Sequence, residues 1–240
     1  QPRFNTQIIM YGRLYYSPNV IYSGTSELFD CVDLRTGELI YEVNTVEATG
    51  SSRVPSFGYY YSDDNPNEHG IANPGWLFSS NYATGYQPER GTPYLNITGV
   101  PTGFETSGIA GENLRYVLSG STTNGYGLGQ WNSSKAIQPR SPSSNQVNAS
   151  TLVNYDWNVS IGKMFATSPT IRAVHGLDYV WGSNGSWPTG TSGPSYYYPN
   201  EVTVWAISIK PESLGQLLYM KTLDVDNEQL NTNNMFERAS

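Results

Sequence analysis

Between Cys31 and Tyr41 the chain alternates its side chains, turns through Asp33-Leu34-Arg35-Thr36-Gly37, and resumes with an aromatic residue four places beyond the glycine. A segment of this kind folds as two antiparallel strands joined by a tight hairpin. The frame returns at Tyr86-Gln87-Pro88-Glu89-Arg90-Gly91-Thr92-Pro93-Tyr94-Leu95 and again from Val204 through Gly215 to Tyr219, each time with a large apolar residue four past the glycine. Recurrence constrains the chain more than the hairpin does. A unit that repeats leaves an apolar face that only a neighbouring unit covers, so the chain must be an array of modules.

Period-2 alternation places strands at 7–16, 28–34 and 38–46, and the turn glycines are spaced for further units of about forty to sixty residues, the period of four-stranded propeller blades. The predicted fold is all-β: a β-propeller of four-stranded antiparallel blades, with about four blades at roughly 1–47, 55–98, 104–161 and 168–223. Residues 224–240 read as a tail or the start of a next blade. Two Ser, Asn, Gly and Pro-rich stretches, 132–153 and 183–200, read as insertions projecting from the blades. A solenoid of parallel strands is the rival, but its periods are shorter and lack paired hairpins.

Glycine (24), proline (15) and tyrosine (19) are abundant while charged residues are only 14% of the chain, a balance that favours short strands and turns and predicts almost no helix. With 13 basic residues and a net charge of -7, no basic stripe is available for a phosphate backbone, which excludes nucleic acid as a partner. No apolar run approaches the roughly 18–20 residues of a membrane-spanning helix, and with no signal peptide ahead of Gln1 the chain reads as a processed or internal segment. Sequons for N-glycosylation stand at Asn96, Asn132, Asn148, Asn158 and Asn184. Together with the low charge they suggest a secreted, extracellular glycoprotein, although a chain so rich in Asn, Ser and Thr also generates sequons by chance. Cys31 is the single cysteine; its place in an alternating strand makes it a small buried hydrophobe.

The Asp-x-x-Thr-Gly turn with its following aromatic resembles the pyrroloquinoline-quinone-like β-propeller repeat, whose usual form ends in tryptophan where this chain has Tyr41 and Tyr219. Longer segments resemble one branch of that superfamily, a group of large secreted archaeal proteins of mostly unassigned function. These segments are Ser62 to Gly70, Gly111 to Leu118, Gln130-Trp131-Asn132-Ser133, Asp156-Trp157-Asn158-Val159 and Val204 to Pro211. Quinoprotein dehydrogenases of the superfamily carry seven or eight blades, a vicinal disulfide beside the quinone, and a calcium or lanthanide site with an aspartate base. One cysteine and about four blades depart from that pattern, so the resemblance does not bring quinone chemistry with it. It does imply a larger seven- or eight-bladed ring, completed by other blades or by a partner chain.

Among candidate sites, the loop containing Asp63, Asp64, Asn67 and Glu68 has the oxygen-ligand density that a hard cation such as calcium requires. It lacks the ordered spacing of an EF-hand loop, and Asp, Asn and Pro also build turns without an ion; His69 at its end serves equally as a donor to backbone. Gly125-Tyr126-Gly127-Leu128-Gly129 has no helix after it to bind an anion, so its small residues serve close backbone approach. His175 with Asp178 has no nucleophile in a recognisable turn and reads as a hairpin turn. Tyr59-Tyr60-Tyr61 reads as strand packing, while Tyr196-Tyr197-Tyr198 reads either as packing or as a surface for a sugar or protein partner. The function these features predict is an extracellular, non-enzymatic binding or structural module of a cell-surface assembly. The alternative is half of a quinoprotein-like oxidoreductase.

Overall fold

The structure is a computed structural model and describes residues 8–18, 28–49, 54–59, 75–80, 82–109, 111–137, 145–184 and 201–224. Sheet one contains β1 (Ile8–Met10), β2 (Arg13–Tyr16), β3 (Leu28–Asp33) and β4 (Leu39–Asn44), and sheet two β5 (Pro55–Tyr59), β6 (Trp76–Ser79), β7 (Thr84–Tyr86) and β8 (Pro93–Thr98). Sheet three is built from β9 (Phe104–Ser107), β10 (Asn113–Ser121), β11 (Gly125–Asn132) and β13 (Tyr155–Gly162), and sheet four from β14 (Pro169–His175), β15 (Tyr179–Asn184), β16 (Glu201–Ser208) and β17 (Leu217–Asp224). Each is a meander in which chain neighbours pair antiparallel, the blade architecture of a β-propeller. The helices among the described residues are short: α1 (Thr45–Thr49), α2 (Ser133–Ile137) and single 3-10 turns. Sheets one and two, with residues 132–154, form one compact unit; most of sheet three and all of sheet four form a second.

Two details differ from the sequence reading. The run 7–16 is a hairpin rather than one strand, because Tyr11 and Gly12 both adopt positive φ (56° and 69°), the backbone of a two-residue hairpin turn. The 132–153 stretch does not simply project from the surface. It carries β12 (Gln146–Asn148), which pairs in parallel with β8 as a fifth strand of sheet two, aligning Val147 with Ile97. That pairing occupies an edge that would otherwise present free N–H and C=O groups.

The repeated turn has the same construction in each copy. Asp33 accepts the Gly37 N–H on its backbone carbonyl (2.8 Å) and donates its own N–H to Glu38 O (2.9 Å); Gln87 does the same with Gly91 (2.8 Å) and Thr92 (2.9 Å). In the third copy Ser208 accepts from Gly215 (2.9 Å) and donates to Gln216 (2.9 Å), around a loop lengthened by a 3-10 turn at Pro211–Ser213. The glycines sit at φ of 75°, 67° and 81°, and each turn is followed by a bulge, so that Tyr41 faces Cys31, Leu95 faces Gly85 and Tyr219 faces Ala206. Asp33 adds a local lock: its Oδ1 accepts the N–H groups of Arg35 (2.8 Å) and Thr36 (2.9 Å), which holds the carboxyl below the usual carboxylate range.

In the first unit the core gathers Ile8, Tyr15, Phe29, Cys31, Leu77 and Tyr86, with Tyr41 and Val43 packed beside them. The second gathers Tyr116, Leu128, Phe165, Val180, Trp205 and Ile207. The sheet-two loop rests on the outer strand of sheet one: a Cβ built on Gly91 would lie 2.5 Å from Val43 Cγ2 and 2.6 Å from Tyr41 Cε2. Gly37 has nothing within 4 Å at the same point. Replacing Gly37 with alanine therefore meets backbone strain alone, about 1–2 kcal/mol. Gly91→Ala meets the same strain and must also displace Val43 and Tyr41, costing roughly 1–3 kcal/mol more. Urea-unfolding midpoints of the two variants measure the difference, and equal losses would show that the sheet-two loop is not held on β4.

Candidate functional site

The loop bearing Asp63, Asp64, Asn67, Glu68 and His69 lies outside the described residues, as do Tyr60, Tyr61 and Tyr196 to Tyr198. Among the described residues no group of three or more His, Cys, Asp or Glu side chains is placed to hold a metal ion. The sequon asparagines divide into two kinds. Asn96, Asn148 and Asn158 are exposed. Asn132 and Asn184 are only 8% and 5% exposed. Asn184 is committed to the core, where its Nδ2 donates to Thr167 O (3.0 Å) and its Oδ1 accepts the Trp205 indole N–H (2.7 Å). Asn132 Oδ1 accepts the backbone N–H of Ser134 (2.9 Å) and its hydroxyl (2.6 Å) at the start of α2.

A polar cluster unforeseen from the sequence lies on the face of sheet one that receives the Gly91 loop. In the register of the strands, Tyr15 of β2, Cys31 of β3 and Tyr41 of β4 form one row across the sheet, with Arg13 two places along β2. The phenols of Tyr41 (2.7 Å) and Tyr15 (3.2 Å) and the Arg13 guanidinium (3.3 Å) all donate to Pro88 O. Three donors on one carbonyl fasten the sheet-two loop through a backbone group that any residue supplies, so the loop sequence gives no sign of it. Burial pushes both phenols well above their ordinary pKa, with Cys31 beside them adding to the effect, and burial likewise raises the Cys31 thiol. Cys31 is fully buried in this packing. As the chain's single cysteine it has no neighbour with which to form the vicinal disulfide expected of a quinoprotein dehydrogenase.

Sheet four repeats that row with different side chains. Trp181, Ala206 and Tyr219 align across β15, β16 and β17 as Tyr15, Cys31 and Tyr41 do across sheet one, and Tyr179 stands where Arg13 does. Here Tyr219 at the end of the row is 49% exposed and Ala206 in its middle is fully buried, while Leu217, Leu218 and Met220 beside Tyr219 on β17 are between 37% and 52% exposed. Beside it, His175 stacks on Tyr179 with ring centroids 4.9 Å apart. His175 and Asp178 flank the β14–β15 turn, closed by Asp178 N–H to His175 O (3.0 Å), and Asp178 pairs with Lys210 at 3.2 Å. The pair is thus a hairpin turn tied to the neighbouring Ser208–Gln216 loop.

One buried acid was also missed. Asp30, in β3 opposite Glu42, is 7% exposed, and its Oδ1 has no hydrogen-bond partner among the described residues. Burial pushes its carboxyl up, a hydrogen bond from Tyr16 opposes this, and the Glu42 carboxylate adds to it.

No protein-family model matches the sequence, and no curated protein matches it. Among solved structures, the chain is similar to BamB from Moraxella catarrhalis, at 11% identity and a TM-score of 0.32, over 92% of this chain and 53% of that one. It is also similar to the quinohemoprotein alcohol dehydrogenase ADHIIG from Pseudomonas putida HK5, at 13% identity and a TM-score of 0.24, over 88% of this chain and 33% of that one. The chain thus spans about half of the first and a third of the second. At such TM-scores the likeness carries no weight, and the blade assignment stands on the sheets themselves.

The raised phenols give the first unit an alkaline limit. A tyrosine in the unfolded chain ionises near pH 10, whereas Tyr15 and Tyr41 hold their protons in the folded state to higher pH. Their stabilisation is therefore complete below about pH 10 and is lost as pH rises through the folded values. Tyr41→Phe is expected to cost about 1 kcal/mol at neutral pH, the worth of one buried hydrogen bond, and to flatten the loss of stability between about pH 10 and 11. Urea unfolding at pH 7 and across that range measures both, and an unchanged alkaline slope would remove Tyr41 from the account.

Proposed function

We propose that the chain is an extracellular β-propeller module that acts by binding, as a structural or docking element of a cell-surface or extracellular assembly. The observation that carries this reading is the exposed apolar stretch Leu217 to Met220 on β17, the outer strand of sheet four among the described residues. Monomeric soluble proteins rarely leave contiguous apolar strands at an open edge unless a partner covers them. Support for the extracellular setting comes from the low charge and from the three sequon asparagines, Asn96, Asn148 and Asn158, that stand exposed on sheets two and three. Catalysis is the weaker reading, because Cys31 does not fit the quinone-site pattern and His175 and Asp178 are engaged in a turn.

Two measurements test this. Thermal unfolding with pyrroloquinoline quinone and calcium should leave the melting temperature unchanged and show no bound-quinone absorbance; a saturable rise would favour the oxidoreductase reading instead. Peptide mapping of the chain from a glycosylating host should find glycan at Asn96, Asn148 and Asn158 and bare asparagine at 132 and 184, since a buried side chain cannot carry a sugar in the folded state. Glycan on none of the three exposed positions would remove this support for an extracellular setting.

A further inference from the structure

Two of the exposed sequon asparagines stand side by side. The parallel register of β8 and β12 sets Gln146 opposite Asn96 and Asn148 opposite Thr98. Ile97 and Val147 are buried, so strand alternation turns Asn96, Thr98, Gln146 and Asn148 to one exposed face of sheet two. Strand spacing and rise put the two asparagines about 8 Å apart on that face. Each is oriented by a neighbour. Asn148 Oδ1 accepts the backbone N–H of Ser150 (3.0 Å) and its hydroxyl (2.7 Å), which leaves the amide nitrogen on the opposite side of the carboxamide. Asn96 Nδ2 donates one hydrogen to Gln146 Oε1 (3.0 Å) and keeps a second. Exposed apolar surface lies next to both. Tyr94, two places before Asn96 on the same face of β8, is 37% exposed and stacks on Trp76 at 5.4 Å. The segment after Asn148 folds back, Asn154 Nδ2 donating to Asn148 O (3.1 Å), and carries Leu152 and Val153 at its crest, each 71% exposed. The third exposed sequon asparagine, Asn158, has the polar Asp156 and Ser160 on either side of it along β13 instead.

We propose that Asn96 and Asn148 form one paired N-glycan site, whose innermost sugars cover Tyr94 on one side and Leu152 and Val153 on the other. Attachment is a group transfer from a lipid-linked sugar phosphate. The asparagine Nδ2 bonds to the anomeric carbon, the bond from that carbon to the phosphate oxygen breaks, and the lipid phosphate and one amide proton depart. At Asn96 the hydrogen that remains on Nδ2 still serves Gln146 Oε1, so the sheet contact survives the modification. A sugar ring has polar edges and C–H faces, and such a face settles on an aromatic ring or an aliphatic side chain as any apolar group does. The apolar side chains beside each asparagine are thereby withdrawn from water by the chain's own modification. Two stems rooted so close also crowd the space over β8 and β12, beside the edge strand of sheet two among the described residues, and hinder another strand from pairing there. This inference rests on the extracellular reading above and adds the surface that the sugar closes: Tyr94, Leu152 and Val153 go to glycan, and β17 is left as the apolar surface for a partner.

The test compares the same chain made in a glycosylating host and in one that does not glycosylate, each footprinted with hydroxyl radicals and read by mass spectrometry. Glycan is expected on Asn96 and Asn148 in the same molecules. The glycosylated form should lose most of its oxidation at Tyr94, Leu152 and Val153, while Leu34 and Leu217, exposed elsewhere, oxidise equally in both forms. Ser150→Ala removes the sequon of Asn148 but keeps the Ser150 backbone bond to its Oδ1. In the glycosylating host it should restore oxidation at Leu152 and Val153 and leave Tyr94 protected, and Asn158→Gln should change none of the three. Two results overturn the proposal outright: both asparagines glycosylated with these side chains oxidised alike in the two forms, or glycan on only one of the pair in every molecule. Glycan at Asn158 alone would overturn the paired site and leave the extracellular reading standing, whereas glycan at none of the three positions would remove the support for both.

Discussion

Sheet stacking in this protein depends on letting the backbone of one loop touch the side chains of the strand it covers. A loop that closes on a left-handed glycine has no Cβ at its point of contact, so its main chain can lie directly on Tyr41 and Val43, or on Val159 and Ile161. Main-chain carbonyls then become available as acceptors, and Pro88 O takes three donors at once. At Pro88 the contact both excludes water from the outer strand and satisfies a polar group that it would otherwise strand in a dry place. The clusters of six and of ten buried side chains among the described residues could not be sealed by loops that had to keep a side chain's distance.

The four-sheet architecture was legible because it follows from local signals: alternating residues, turn chemistry and the glycine that forces φ positive. The strands at 28–34 and 38–46, and the turns at Gly37, Gly91 and Gly215, were all visible this way. The hairpin inside 7–16 was not, since Tyr11-Gly12 lies in a run whose alternation continues across the turn and hides the reversal. The pairing of β12 with β8 was invisible for a different reason: three residues, Gln146-Val147-Asn148, carry no periodicity, and their role comes from where the chain places them. The polar cluster at Pro88 was equally hidden, because its acceptor is a carbonyl and its donors, Arg13, Tyr15 and Tyr41, are common residues related only through strand register.

Sequons show how far a motif can depart from its usual meaning. Asn184 sits in an acceptor sequence, yet its amide bridges the Trp205 indole and the Thr167 carbonyl in the middle of sheet four's packing. Asn132 ends β11 and opens α2 as a local cap. In both, a residue type favoured at turns and helix starts is serving that ordinary purpose, and burial rather than the tripeptide is the property that separates them from Asn96, Asn148 and Asn158.

Placing the fifth strand of sheet two inside a later connection has a consequence for the order of events at the ribosome. The bond between Asn96 and Gln146 joins residues 50 apart, so β8 is made, and its neighbours can pair, well before the strand that finishes its edge has left the exit tunnel. At about 5–20 residues per second that gap lasts several seconds, during which Leu95 and Ile97 border an open edge. Sheet two is therefore a place where a nascent chain is exposed to pairing with the wrong strand, and the 132–154 connection acts late, as the step that ends that exposure.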